Sequence, residues 1–477
     1  DQTIHFDAIG TEYYIEARDN AANMTRSPVG TGTHKTYLKY SETDASIPSA
    51  RLSFGGQMSD WRIIAVPFEL GSSGTVSAVF NEFAGLTDKV DYRIITYQNQ
   101  TSWLDLSGTS TLQRSKGYFI NIKNTIADIG VGTDLVAPAN TRSDLETINL
   151  NQGWNMIGNP YLTQISWSDV AALNGLTGPA AELKKYNGAG YSVQTQLLEP
   201  YEGAFVFVNN AIPDVIIPFK GQTSVGGRTK GFAAFDTDIS KDTWGLKLHV
   251  TQGKFNYELG SIGMAPDANP SFDDYDDVTP PRLFDYLEMN FSHPEHHARR
   301  FTRDIVPTQE NFTWNFTVDS NLEGMAEITW DNIPLVSSGK DIFLLDITTQ
   351  KLVNMKSTAS HAFDPKESSH FRIYYGDNLN IAPERVQLGK AYPNPTKGLT
   401  TIAFSLPETG GLNQNVTLDI VDALGRTVGT LKNGVFNPGY HEAAFDATEM
   451  NNGFYTYRLT VRNRKGHTTE VNKLIIK

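Results

Sequence analysis

The densest group of hard oxygen donors in the sequence runs through Asp267, Asn269, Asp273, Asp274, Asp276 and Asp277 and ends at Pro280-Pro281. Calcium takes about six to eight oxygen ligands and tolerates irregular loops, so Asp267, Asn269, Asp274 and Asp276 can supply a site. The loop is not an EF-hand, because it lacks the glycine at the sixth position and the glutamate at the twelfth. The competing reading is a solvated acidic turn in an already acidic chain. His293-Pro294-Glu295-His296-His297 carries metal-ligating types in the wrong order. A zinc protease needs His-Glu-x-x-His on one helix face, and a proline after the first histidine does not fit one. A polar surface loop accounts for this segment, with Arg299, Arg300 and Arg303 close behind it.

Other catalytic patterns fail on spacing. Gly226 to Gly231 has the residue types of a phosphate loop without its Gly-x4-Gly-Lys-Ser/Thr order. Gly71-Ser72-Ser73-Gly74 is not a Gly-x-Ser-x-Gly nucleophile elbow. Carboxylate pairs are too frequent to single out a glycosidase without geometry. No catalytic residue is assigned, and the chain reads as non-enzymatic. Trp61, Trp103, Trp154, Trp167 and Tyr191 could stack sugars, but rings of this size are more often core in β modules. Sugar binding therefore attaches to the modules and to no named residue.

The whole chain narrows these choices. It has 477 residues, 40 Lys+Arg against 53 Asp+Glu, a net charge of −13 and no cysteine. The acidic balance argues against nucleic acid and anionic membranes, which are met with basic surfaces. The lack of cysteine excludes disulfides, thiolate metal sites and cysteine catalysis. No apolar run is long enough for a membrane-spanning helix. The chain opens at Asp1 with polar residues and no initiator methionine, which reads as a mature or cropped product.

The elements that must position any site are mostly strands. Apolar residues alternate in Trp314–Val318, at Val416, Leu418 and Ile420, and at Tyr455, Tyr457, Leu459 and Val461. Period-2 alternation places one face of a strand on a core, and Gly, Asn, Pro and Asp divide the runs. Further strands are expected near Glu12–Glu16, Thr36–Tyr40, Trp244–Val250, Ala326–Trp330, Ile342–Asp346 and Phe371–Tyr375. The best helical spacing, Val76, Val79, Phe80 and Phe83, predicts two or three turns. The expected class is all-β, with several tandem β-sandwich or jelly-roll-like modules.

Two of those modules are copies. Trp61-Arg-Ile-Ile-Ala-Val-Pro67-Phe68 matches Trp154-Asn-Met-Ile-Gly-Asn-Pro160-Tyr161, about 93 residues on. Gly-Leu-Thr follows in each, at Gly85 and Gly175, then aromatics at Tyr97 and Trp103 and at Tyr186 and Tyr191. Each copy closes with a leucine five residues before a Gly-aromatic strand, Gly117-Tyr118-Phe119 or Gly203-Ala204-Phe205. The expected domains are 1–138, holding the first repeat module at about 55–125, then 139–222 with the second. A Gly/Thr/Ser-rich linker from Gly221 to Gly231 leads to a β-sandwich at 231–380 and a last domain at 388–477.

The last segment is the most specific. It contains Tyr392-Pro393-Asn394-Pro395-Thr396-Lys397-Gly398, then Asp422-Ala-Leu-Gly425-Arg426, then Gly453-Phe-Tyr455-Thr-Tyr457-Arg-Leu459, and ends Lys473-Leu-Ile-Ile-Lys477. The two prolines predict a stiff extended entry, and Asp422 to Gly425 a hairpin turn. These four elements, in this order, resemble the type A C-terminal sorting domain of type IX secretion system cargo (the Por secretion tail). The resemblance implies an Ig-like β-sandwich over 388–477, recognised when folded. The sorting-signal residues would be Pro393, Asn394, Pro395, Gly398, Gly425, Arg426, Gly453, Tyr455, Lys473 and Lys477. Lys473 to Lys477 would be a short apolar strand between two lysines that can add to a sheet or enter a groove. Implied partners are the type IX translocon, an outer-membrane shuttle barrel and a sortase-like protease. The route would run through the periplasm to the cell surface or medium.

The expected function is that of a secreted or cell-surface protein, adhesin-like or structural, or the C-terminal part of a larger one. The alternative is a glycan-binding or hydrolytic protein whose catalytic part lies upstream of Asp1 or within 231–380. No cofactor is required, calcium is the one candidate, and a surface glycan is the one candidate ligand.

Overall fold

The structure is a computed structural model. It describes residues 46–477 except 69, 71–73, 99–101, 127–128, 131–134, 137–145, 193–195, 219–234, 378, 380, 382, 410–412 and 464–465, together with short strands between residues 11 and 42. The expected linker at 221–231 and the Gly71–Ser73 turn lie outside the described residues, as does most of the predicted strand at 36–40. The fold is all-β, as the alternation predicts. The chain divides into two compact units: residues 1–233 with 273–284, and residues 234–272 with 285–477. Residues 273–284, expected within a domain at 231–380, thus belong to the first unit.

In the first unit each repeat folds the same way. The first copy has β1 (Arg62–Ile64), β2 (Tyr92–Gln98), β3 (Ser102–Asp105) and β4 (Tyr118–Ile122), in sheet order β1-β4-β2-β3. The second has β5 (Gly153–Gly158), β6 (Lys185–Tyr186), β7 (Tyr191–Ser192) and β8 (Gly203–Val208). Register is conserved between them: Ile63 faces Phe119 and Ile64 faces Tyr118, as Met156 faces Phe205 and Ile157 faces Ala204. The hairpin rings pair across strands in both, Tyr97 with Trp103 and Tyr186 with Tyr191, with centroids 5.2 Å apart in each.

The helical spacing at Val76 gives less helix than predicted. α1 (Val76–Val79) is one turn, and a 3-10 turn at Asn81–Phe83 follows. All four spaced residues are still buried in the first core, with Ile64, Phe68 and Tyr92. The second copy has the longer α2 (Trp167–Asn174), capped by the Ser166 side chain and ended by Gly175 in the left-handed conformation.

The two copies join about a pseudo-two-fold axis. Ala65 N–H donates to Tyr201 O and, at the equivalent positions, Gly158 N–H donates to Ser115 O, both at 2.9 Å. Ile64 bridges Glu202 as Ile157 bridges Lys116. The backbones are so close here that a Cβ on Gly158 would stand 2.5 Å from that of Ala65.

The second unit holds two sandwiches. The first has a long sheet in the order 244–247, 261–265, 300–307, 287–292, 312–320, 370–376, 341–346, 351–354. A four-stranded sheet, 255–257, 249–252, 326–329, 360–363, accompanies it. The second sandwich has β9 (Gln387–Leu388), β10 (Leu399–Leu406) and β13 (Gly439–Asp446) in one sheet. The other sheet contains β11 (Gln414–Val421), β12 (Thr427–Phe436), β14 (Gly453–Asn463) and β15 (Gly466–Ile476), ordered β12-β11-β14-β15. Seven strands in two sheets around Ile402, Phe404, Leu418, Tyr457, Leu459 and Leu474 make the Ig-like arrangement.

Candidate functional site

The aromatic residues of the repeats are committed to the interior. Trp61, Trp154, Trp167 and Tyr191 are buried and Trp103 is half-buried. Residues 277–284 lie against them. Trp154 Nε1 donates to Thr279 O at 3.1 Å, Tyr191 Oη to Pro281 O at 3.1 Å, and Trp103 Nε1 to Arg282 O at 2.8 Å. The Phe284 ring meets Trp61 at 5.6 Å. Trp167, on α2, instead donates to Ala180 O. None of the five forms an open sugar-stacking face.

The acidic loop contributes to the same contact. Asp267 and Asn269 belong to the second unit, Asp274 and Asp276 to the first. Asp276 is buried, and its carboxylate accepts from Asp273 N–H at 3.0 Å, while the Asp273 carboxylate accepts from Tyr275 N–H. Asn269 Oδ1 accepts from Ser271 N–H. Asp277 pairs with Lys184 Nζ at 2.7 Å, and Glu182 sits 2.9 Å from the same ammonium. Lys184 is fully buried at the position that Ile95 fills in the first copy, each being the partner of the Gly-aromatic strand. Among the described residues no group of three or more His, Asp or Glu is placed to hold a metal ion.

The histidine segment is structural. His293 stacks on Phe301 at 4.0 Å, with Nδ1 2.8 Å from Glu295 and Nε2 3.5 Å from Asp304. Burial disfavours its charge, but the hydrogen bond and charge of Asp304, and then Glu295, outweigh that and raise its pKa to about 9. His296 is pushed down to about 4 by burial and by the neighbouring histidines. Ser368, His361 and Asp346 also meet, but the serine and the histidine both bond to the buried Asp346 carboxylate. That geometry makes no nucleophile–base pair of the kind hydrolysis needs.

The sorting-signal residues converge on the last strand. The entry bends at residues 393–395 and is a folded loop, not the extended segment expected; the peptide bonds before Pro393 and Pro395 are both cis. The loop lies along the outer edge of β15. Asn394 Nδ2 donates to Lys473 O and Asn394 Oδ1 accepts from Ile475 N–H, both at 2.9 Å, so an amide side chain stands in for a strand. Thr396 continues the pairing: its N–H donates to Ile475 O and its carbonyl accepts from Lys477 N–H. The other edge of β15 pairs with β14, Tyr455 opposite Leu474 and Gly453 opposite Ile476. Residues 473–477 are therefore clamped on both edges, which corrects the expectation that they can add to a sheet and leaves the other, entry into a groove, untouched. Leu474 and Ile476 enter the core, while Lys473 and Lys477 are exposed.

The remaining motif residues shape turns. Asp422 accepts from the N–H groups of Leu424 and Arg426 and from Arg426 Nε, which holds its carboxyl below the ordinary range. Gly425 has φ 84°, a conformation that disfavours a side chain. Gly398 packs in the loop after Thr396, where its N–H donates to Thr396 Oγ1. Tyr455 Oη donates to Asn451 O. Two further positions matter that residue types alone do not mark. Tyr457, buried, donates to Gly389 O and accepts from Ala391 N–H, and burial pushes its phenol up to about 12. Gly389 passes so close to the neighbouring sandwich that a Cβ would lie 1.8 Å from Thr349 O. Ser405 Oγ donates to Gln350 across the same seam.

No curated protein matches the chain. Among solved structures, it resembles dimeric latent PorU from Porphyromonas gingivalis at 15% identity and a TM-score of 0.18, over 49% of this chain and 29% of that one. Bacteroides uniformis β-glucuronidase 2 is similar at 14% identity and a TM-score of 0.15, over 32% and 26%. The glycoside hydrolase domain of Endo-D from Streptococcus pneumoniae gives 7% and 0.13, over 42% and 37%. The chain spans about a third or less of the first two, and likenesses this faint bear on neither activity nor substrate. The family comparison is specific: residues 390–477 match the secretion system C-terminal sorting domain. Those residues are a Por secretion tail, and the protein that carries them is cargo of the type IX secretion system, secreted across the outer membrane.

Proposed function

We propose that this is a non-catalytic, adhesin-like surface protein whose tail is read as a folded object through the outward face of its last strand. The translocon, an outer-membrane shuttle barrel and a sortase-like protease would be the successive readers. The observation that carries this reading is the clamp on β15. With both edges occupied, backbone pairing by an added strand is unavailable at 473–477, and recognition falls to the exposed side chains of Lys473 and Lys477. The repeats, with their rings turned inward and no nucleophile–base pair at Asp346, support a structural or binding role over hydrolysis.

The test is a charge reversal, Lys473→Glu with Lys477→Glu, followed by fractionation of the native host. Both side chains are exposed, so the melting temperature should hold. Periplasmic accumulation of a folded variant supports the reading. Normal surface delivery of that variant overturns it.

A further inference from the structure

A cavity of about 440 Å³ opens in the first repeat, within the size range of small-molecule sites. Its walls are unusual for so acidic a chain. Lys89, Arg93 and Lys123 line it against one carboxylate, Asp91. Arg93 is committed to Asp105 at 2.6 Å and lies over the Phe284 ring at 4.3 Å. Asp91 accepts from Thr87 N–H. Among the described residues neither lysine ammonium has an ion-pair partner, and both side chains are exposed. The Gln57 side chain adds an amide, the Asn121 amide is buried and donates to Gln57 O at 2.8 Å, and the Phe284 ring, 36% exposed, adds an apolar wall.

We propose that this cavity binds an acidic saccharide, a sugar bearing carboxylate or sulfate. Lys89 and Lys123 meet the anion, the Gln57 amide meets a hydroxyl, and the Phe284 ring meets the C–H face of the sugar. Charge-assisted hydrogen bonds supply the strong contacts, and the ring distinguishes a sugar from a bare anion. Phe284 comes from the 273–284 segment, so the site is complete only when that segment is docked on the repeats. The site does not depend on how the tail is exported and is tested on purified protein.

Calorimetric titrations of the full chain with trigalacturonate, a sulfated chondroitin disaccharide, cellotriose and sodium acetate decide it. At least one acidic saccharide should bind, about tenfold or more tighter than cellotriose or acetate, with affinity falling as salt rises. Which one binds separates carboxylate from sulfate. Lys89→Ala with Lys123→Ala should weaken binding at least about tenfold with an unchanged melt. Phe284→Ala should weaken the saccharide and leave acetate unaffected. Binding of neither acidic saccharide up to about ten millimolar, equal binding of cellotriose, or an unaffected double-lysine variant would overturn the proposal.

Discussion

Asn394 does with a side chain what a strand does with its backbone, and its removal has a local signature. Asn394→Ala should cost about 1–2 kcal/mol, since two hydrogen bonds to a partly exposed edge are lost. Amide exchange at Ile475 reads the loss directly, and unchanged protection there would show that the clamp is not formed in solution. Tyr457→Phe strands the buried Ala391 N–H, while Gly389 O keeps a bond from Asn472 Nδ2 at 3.3 Å, and should cost about 1–3 kcal/mol in denaturant melts. His293 gives a pH signature. Its pKa is raised from about 6.5 to about 9, so its contribution is fully present below 6.5 and fades as pH rises through 9. His293→Gln should therefore lose about 1–2 kcal/mol at pH 6 and little at pH 10, allowing for solvent screening. Pro393, Asn394 and Pro395 are conspicuous as a motif. The clamp they make is not, because its partners are main-chain atoms about 80 positions away and carry no residue signature.

Strands were the legible elements. Alternation at Val416–Ile420 and Tyr455–Val461 marks β11 and β14 because one face of each is core. The short apolar end of β15 is equally visible, but its pairing on both edges is not, since hydrogen-bonding partners leave no periodicity. Leu474→Ala in that strand should cost about 2–5 kcal/mol by cavity formation, against less than about 0.5 kcal/mol for changes at Lys473. The acidic loop was legible only as composition. The carboxylates of Asp276, Asp273 and Asp277 are engaged by Asp273 N–H, Tyr275 N–H and Lys184, so millimolar calcium should leave the melting temperature unchanged. A rise reversed by chelator would show that the loop rearranges to bind the ion.

Across the first unit, the repeat motif announces two copies but not the two-fold join, which is made by backbone groups at Ala65, Ser115, Gly158 and Tyr201. Nor does it announce that residues 277–284 return to cover both copies, because the indole and phenol donors bond to carbonyls that any residue offers. Lys184–Asp277 is a charged, residue-specific tie between them. Lys184→Ile installs the side chain of the sister copy but removes the ammonium paired with the buried Asp277 carboxylate, so it should destabilise by about 3–5 kcal/mol. Adding Asp277→Leu should recover most of that. Failure of the double variant to recover would locate the energy elsewhere in the contact.

The clamp on β15 also sets a condition on when the tail can exist at all. Asn394 and Thr396 leave the ribosome well before residues 473–477 and have nothing to hold until those residues arrive. A chain without residues 473–477 would keep every earlier motif intact and still lack the clamp. If the folded tail is what the export machinery reads, as proposed above, passage would be tied to the arrival of residues 473–477 at the 393–396 loop.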